Sequence, residues 1–190
     1  MPDLGPRLGS PAAHARSEAS ARQRLRDSID GCPDRLTDPF AWALVQADAL
    51  AESAGRSALG IDAIGLREHL EEAAADFLST ARTALVLLMS QLATVARTQD
   101  PELIQGWRSR TADAHDVLLE IYQPSMSAWI PMASLWSRAV RHVSARFADA
   151  RLKQPILPTD CPFGIEELVA PRPEFDRLVD RLKASLEPSA

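Results

Sequence analysis

Apolar residues return along most of this chain at intervals of three and four, the period of one helix face. Phe40, Ala43, Leu44, Ala47, Leu50 and Ala51 make the first such face. Asp38 stands where it can cap the free amides of the first turn. Pro39 follows it and gives up an N–H that would have had no helical partner. Gly55 is expected to stop this helix. Asp62 is the expected cap of a longer one, which runs to about Arg97 and spans about 50 Å. Leu66, Leu70, Ala74, Phe77, Leu78, Ala81, Leu85, Leu88, Leu92 and Val95 keep one of its sides apolar. Its first half places Glu68, Glu71, Glu72 and Asp76 on other faces. Its second half is apolar nearly all round, so neighbours should enclose it.

Asp100-Pro101-Glu102 repeats the cap-and-proline start, and Leu103, Ile104, Trp107, Thr111, Ala114, Leu118 and Tyr122 fit a helix ending before Pro124. Pro131 opens the next, with Met132, Leu135, Trp136, Ala139, Val143 and Phe147 on one stripe. Pro155, Pro158 and Pro162 then predict an extended crossing segment. A short helical turn is expected from Phe163 to Val169. After Pro171 and Pro173, the residues Phe175, Leu178, Val179, Leu182 and Leu186 form an amphipathic closing helix. At the other end, residues 1–36 are rich in Pro, Gly, Ala, Ser and Arg. A helix from about Arg16 to Ile29 has only Leu25 and Ile29 as apolar anchors, so this part reads as a weakly ordered arm ended by Gly31-Cys32-Pro33. The expected fold is all-α: an irregular bundle of about four main helices, one of them long, plus short helical pieces. The expected divisions are an N-terminal arm (1–36), a helical domain (37–170) and a C-terminal docking helix (171–190).

Composition agrees with the periodicity. The chain has 190 residues, 46% hydrophobic and 25% charged, which suits one domain with tails. That length buries roughly two-thirds of the unfolded surface, so neither metal nor disulfide is needed to hold it together. A formal charge of -5 argues against a general affinity for nucleic acid, which needs a basic surface. Two cysteines without CxxC spacing make no disulfide framework. Met1-Pro2-Asp3-Leu4-Gly5-Pro6 lacks the basic-then-apolar pattern of a signal peptide. The longest apolar run, Ala84 to Met89, is far shorter than the ~20 residues that span a bilayer. The expectation is therefore a cytoplasmic protein without a membrane anchor.

Candidate chemistry is sparse. Helical bundles often hold di-iron centres through Glu-x-x-His pairs, and this chain has no such pair. His69 and Glu72 are three apart on one helix face, as are Asp113 and Asp116 with His115 between them. These are the candidate ligands of a carboxylate-rich metal site, although a solvated helix face is the plainer expectation. Cys161 precedes Pro162 and a helical turn; a helix N-terminus there would favour its thiolate. A catalytic thiol also needs a base, and no histidine lies near it in sequence. The competing expectation is a small apolar residue fixing a loop, and Cys32 has no better claim. Nucleophile elbow, Walker loop and dinucleotide-binding motifs are absent. Arg138, Arg141, Arg146, Arg151 and Lys153 form a basic cluster interrupted by Asp149, with Arg138 and Arg141 expected to face water. Among the tryptophans, Trp107 and Trp136 fall on apolar stripes. Trp42 and Trp129 lie off them and are candidate anchors for a partner, although burial under a neighbouring loop is the plainer expectation for each.

Three segments taken in order carry a resemblance. They are Asp38-Pro39-Phe40-Ala41-Trp42, the long helix with Leu66-x-x-x-Leu70-Glu71-Glu72 and Leu85-Val86-Leu87-Leu88-Met89, and Leu157-Pro158-x-x-Cys161-Pro162-Phe163-x-Ile165-Glu166-Glu167-Leu168. Together they resemble the bacterial family called domain of unknown function 29, over about Thr37 to Val169. The resemblance implies an all-helical fold and supplies no activity. The family's long helix has a His and then a Lys-Trp pair after its Leu-Leu-Met run. Here Ser90-Gln91-Leu92-Ala93-Thr94-Val95 follows instead, so a role for that histidine does not carry over.

Three function classes are consistent with these features. The preferred one is a non-catalytic protein-interaction or regulatory module, needing no cofactor, with another protein or a second copy of itself as partner. The second is a small-molecule or metal-binding enzyme with a site in the bundle, using Cys161 or a His69/His115 carboxylate cluster. The third is nucleic-acid contact through the Arg138–Lys153 face.

Overall fold

The computed structural model describes residues 11–28, 32–53, 62–98 and 101–185. Seven α-helices follow one another: α1 (Pro11–Ser28), α2 (Pro39–Ser53), α3 (Ala63–Arg97), α4 (Pro101–Ile121), α5 (Met132–Asp149), α6 (Ile165–Leu168) and α7 (Phe175–Ala184). A 3-10 turn, Pro124–Trp129, joins α4 to α5. No strand occurs among the described residues. The protein is all-α, as its periodicity requires.

The helix starts follow the capping chemistry. The Ala41 N–H donates to Asp38 Oδ1 at 2.9 Å, and the Gly65 N–H donates to Asp62 Oδ1 at 2.9 Å. At Gly65 a Cβ would run into the Asp62 carboxylate, so glycine is what lets that cap fold inward. The expected stop at Gly55, the expected cap Asp100 and the last anchor Leu186 lie outside the described residues.

The chain divides into two compact units: Met1–Asp76 with Gln123–Trp129, and Phe77–Tyr122 with Ile130–Ala190. The division falls inside α3, between Asp76 and Phe77. In the first unit, Phe40, Ala41, Ala43, Leu44 and Ala47 of α2 are buried together with Ala74 and Met126. The Phe40 and Trp129 rings meet edge to face at 5.9 Å. Within the N-terminal arm, where the sequence allows a helix from about Arg16, residues 11–28 form an 18-residue helix. Ala21 and Leu25 are its buried anchors. Arg22 pairs with Asp48 at 3.4 Å and with Glu71 at 3.1 Å, and Arg26 pairs with Asp48 at 2.7 Å. Ion pairs thus supplement a thin apolar face, a contribution that hydrophobic spacing does not display. Ile29, the other expected anchor, lies outside the described residues.

The second unit holds the larger core. From Ala81 to Ala96, α3 is buried nearly all round, with Leu85, Leu88, Met89 and Leu92 inaccessible or almost so. Ser90 and Thr94 are buried there because their hydroxyls donate back to the Val86 and Ser90 carbonyls, both at 2.7 Å. Leu66, in the first unit, breaks the expected stripe at 46% exposed, and Leu87, at 41%, departs from the expected enclosure of the second half. By length and composition α3 resembles a membrane-crossing helix, a test that its short uninterrupted apolar runs do not reveal. However, 72% of its most apolar stretch is buried within the protein. Leu135, Trp136, Ala139, Val143 and Phe147 form the buried stripe of α5, and Leu178, Val179 and Leu182 that of α7. The proline-rich segment is fastened at Trp136. Its Nε1 donates to the Pro158 carbonyl at 2.9 Å, and its ring meets Phe163 edge to face at 5.6 Å.

Candidate functional site

Cys161 lies three residues before Gly164, the N-cap of α6, and so does not sit at the helix N-terminus. Its thiol donates to the Phe163 carbonyl at 3.5 Å. Partial burial pushes its pKa upward, because the thiolate loses hydration. His115 is buried, unlike Asp113 and Asp116 on either side of it, which are exposed. Its Nε2 lies 3.0 Å from the Ala170 carbonyl, and its ring meets Phe175 edge to face at 5.4 Å. It packs the α6–α7 connection against α4. His69 and Glu72 are both exposed on the first part of α3. Among the described residues no group of three or more His, Cys, Asp or Glu is gathered to hold a metal.

Arg138 and Arg141 are exposed on α5, as their offset from its buried stripe requires. Arg146 turns back to donate to Gln91 Oε1 at 3.3 Å. Arg151 has φ 54°, a left-handed conformation, and closes α5. Trp107 is half-buried. Trp42 is half-buried under the Arg35 guanidinium, which lies 5.8 Å from its ring centre. Trp129, also half-buried, packs on Phe40, so it anchors the 3-10 turn within its own unit.

Two helix faces of the second unit carry features outside these candidates. Between α3 and α4 runs a groove of about 330 Å³. Ala84, Gln91 and Ala114 are its buried floor. Leu87 and Val117, 41% and 50% exposed, form apolar walls, and Arg110 and Asp113 supply charge at the edge. Sequence reasoning passed over Leu87 and Val117 because both look like ordinary members of apolar helices. Their signal was a mismatch: Val117 lies off the stripe that Ala114 and Leu118 define.

A smaller cavity, about 140 Å³, lies where α7 meets α3 and α4. Leu92, Val95, Thr111, Phe175 and Val179 line it, and Arg108 pairs with Asp176 there at 2.6 Å. At the far side of α7, Arg181 holds the α6 turn. Its guanidinium donates to both Glu167 oxygens, at 2.9 and 2.5 Å, and to the Pro162 carbonyl at 3.2 Å. Glu167 Oε2 also accepts the Gly164 N–H at 2.9 Å. The Arg181 hydrogen bonds, followed by that amide, lower the Glu167 pKa to about 2. These groups are saturated by one another and form a structural latch.

Residues 36–172 match the family described as domain of unknown function DUF29. The chain belongs to this family. A crystal structure of an α-helical protein of unknown function from Rhodospirillum rubrum is similar at 21% identity. The match covers 83% of this chain and 100% of that one, with a TM-score of 0.73. That similarity establishes the shared fold and assigns no activity. No curated protein matches the chain. The family match and the similar structure agree with the order of elements carried by Asp38-Pro39-Phe40, the long α3 and Cys161-Pro162-Phe163. Ser90, which follows the Leu87-Leu88-Met89 run, is packed into the core. Its hydroxyl oxygen, whose proton goes to the Val86 carbonyl, lies 3.5 Å from the Ala139 carbonyl.

Proposed function

We propose that this protein is a non-catalytic interaction module that docks another polypeptide along the α3–α4 groove. The exposed pair Leu87 and Val117 over a floor of Ala84, Gln91 and Ala114 carries this reading. A groove between two helices, apolar along its length and charged at its edge, suits an amphipathic helix with anchors one turn apart. Exposed apolar side chains that line one concave surface mark interaction sites more often than singly scattered ones do.

The enzyme alternative draws less support, because the groups it would use are engaged elsewhere. The His115 Nε2 faces a backbone carbonyl, and burial makes the Cys161 thiol a poorer nucleophile. Contact with nucleic acid through Arg138 and Arg141 would have to overcome the net charge of -5.

Native mass spectrometry of the tagged protein, purified gently from its host, tests the docking reading. The expected result is a stoichiometric second polypeptide that is lost on Leu87→Glu or Val117→Glu. A metal or small-molecule mass that survives both changes, and disappears on Cys161→Ala or His115→Ala, would replace it with a site in the bundle.

A further inference from the structure

We infer that a second copy of this chain fills the α3–α4 groove, in an antiparallel α4–α4 pairing that sets Val117 over the partner's Gly106 and Arg110 beside the partner's Asp113. This rests on the docking reading and names its partner.

The argument begins with Gly106. Glycine inside a helix is costly relative to alanine, so it calls for a reason. Gly106 is exposed in the interior of α4, and a Cβ built on it would meet nothing within 4 Å. No contact among the described residues therefore demands the missing side chain. What the glycine does provide is a notch on the helix surface, where a second helix can approach closely.

Gly106, Arg110, Asp113 and Val117 follow at spacings of four, three and four, so they share one face of α4. All four are exposed. Their order is also symmetric in size and in charge. Arg110 and Asp113 lie on opposite sides of the point between Thr111 and Ala112, equally distant from it, and so do Gly106 and Val117. A two-fold axis through that point makes every contact twice. Each Val117 then enters the notch at the partner's Gly106, and each Arg110 meets the partner's Asp113. Neither charge forms an ion pair with another described residue, so both are available. A parallel arrangement in register would instead oppose arginine to arginine and aspartate to aspartate. Leu87, which lines the same groove, extends the apolar patch beneath the partner's helix.

Sedimentation equilibrium over a wide concentration range, with circular dichroism on each variant, tests this pairing. The wild type is expected to be a dimer. Arg110→Asp and Asp113→Arg, each alone, are expected to weaken it about tenfold or more, since each creates like-charge contacts across the axis. Carrying both changes together should restore the dimer, because every pair is then opposite again. Gly106→Leu should block dimerisation while leaving helicity intact. A wild type that stays monomeric throughout overturns the second-copy proposal, and so does a double variant as weak as the singles. If that monomer still captures a different polypeptide through Val117, only the second-copy proposal fails. If it captures none, the docking reading fails with it.

Discussion

At Cys161 the local environment outweighs the sequence motif around it. The Cys-Pro-Phe stretch suggests a thiol at a helix start, but the helix begins only after Gly164, and burial stabilises the protonated form. Iodoacetamide at neutral pH should therefore label the exposed Cys32 before Cys161; faster labelling of Cys161 would restore its claim to reactivity. Glu167 shows the opposite effect of environment. Its carboxylate accepts two hydrogen bonds from Arg181 and one from the Gly164 amide, so the ionised form is favoured in the folded state. A carboxylate whose folded pKa is lowered contributes its stability in full above its ordinary value of 4.5. That contribution is lost as pH falls towards about 2. Urea melts of wild type and Glu167→Gln should therefore differ above pH 4.5 and converge as the acid limit is approached. A constant difference down to the lowest pH would show that the charge is not responsible. Neither environment can be read from the residue names, because that of Glu167 depends on Arg181, 14 residues away, and that of Cys161 on how far the fold buries it.

Helix ends were the most legible elements, because capping acts over three or four residues. Asp38 and Asp62 accept the amides that their sequence positions predict. Asp38 does more than its position suggests, since Ser125 from the 3-10 turn donates to the same oxygen at 3.0 Å. The end of α5 was less legible. The Arg151 N–H donates to the Ala148 carbonyl at 2.9 Å, and the Leu152 N–H to the Phe147 carbonyl at 2.8 Å. This is the pattern that ordinarily places glycine in the left-handed position, which Arg151 occupies at φ 54°. Arg151→Gly should raise stability by about 1 kcal/mol in urea unfolding, since it removes the Cβ strain. A loss of stability would mean that the arginine side chain contributes more than the strain costs. α1 was under-read for a different reason. Its apolar anchors are few, and the ion pairs from Arg22 and Arg26 to Asp48 and Glu71 become visible only when distant segments meet.

Within the second unit, α7 covers part of the core that α3 and α4 build. Phe175 and Val179 line the cavity shared with Leu92, Val95 and Thr111, and Leu178 and Leu182 are themselves buried. Ending the chain after Ala170 should therefore expose apolar surface, raise binding of a hydrophobic dye and lower the melting temperature. A truncated chain with unchanged dye binding and melting would make α7 dispensable to the core. The amino-acid sequence by itself determined the all-helical class, the positions of the long α3 and the closing α7, and the family. These follow from periodicity and capping, which are local, and from short motifs kept in order. Which exposed positions gather into one surface was decided only by the tertiary structure. Leu87 and Val117 are thirty residues apart and share a groove only because α3 and α4 lie side by side. The surroundings of His115 and Cys161 were likewise set by packing, since hydration and hydrogen-bond partners depend on what folds against a side chain rather than on what precedes it.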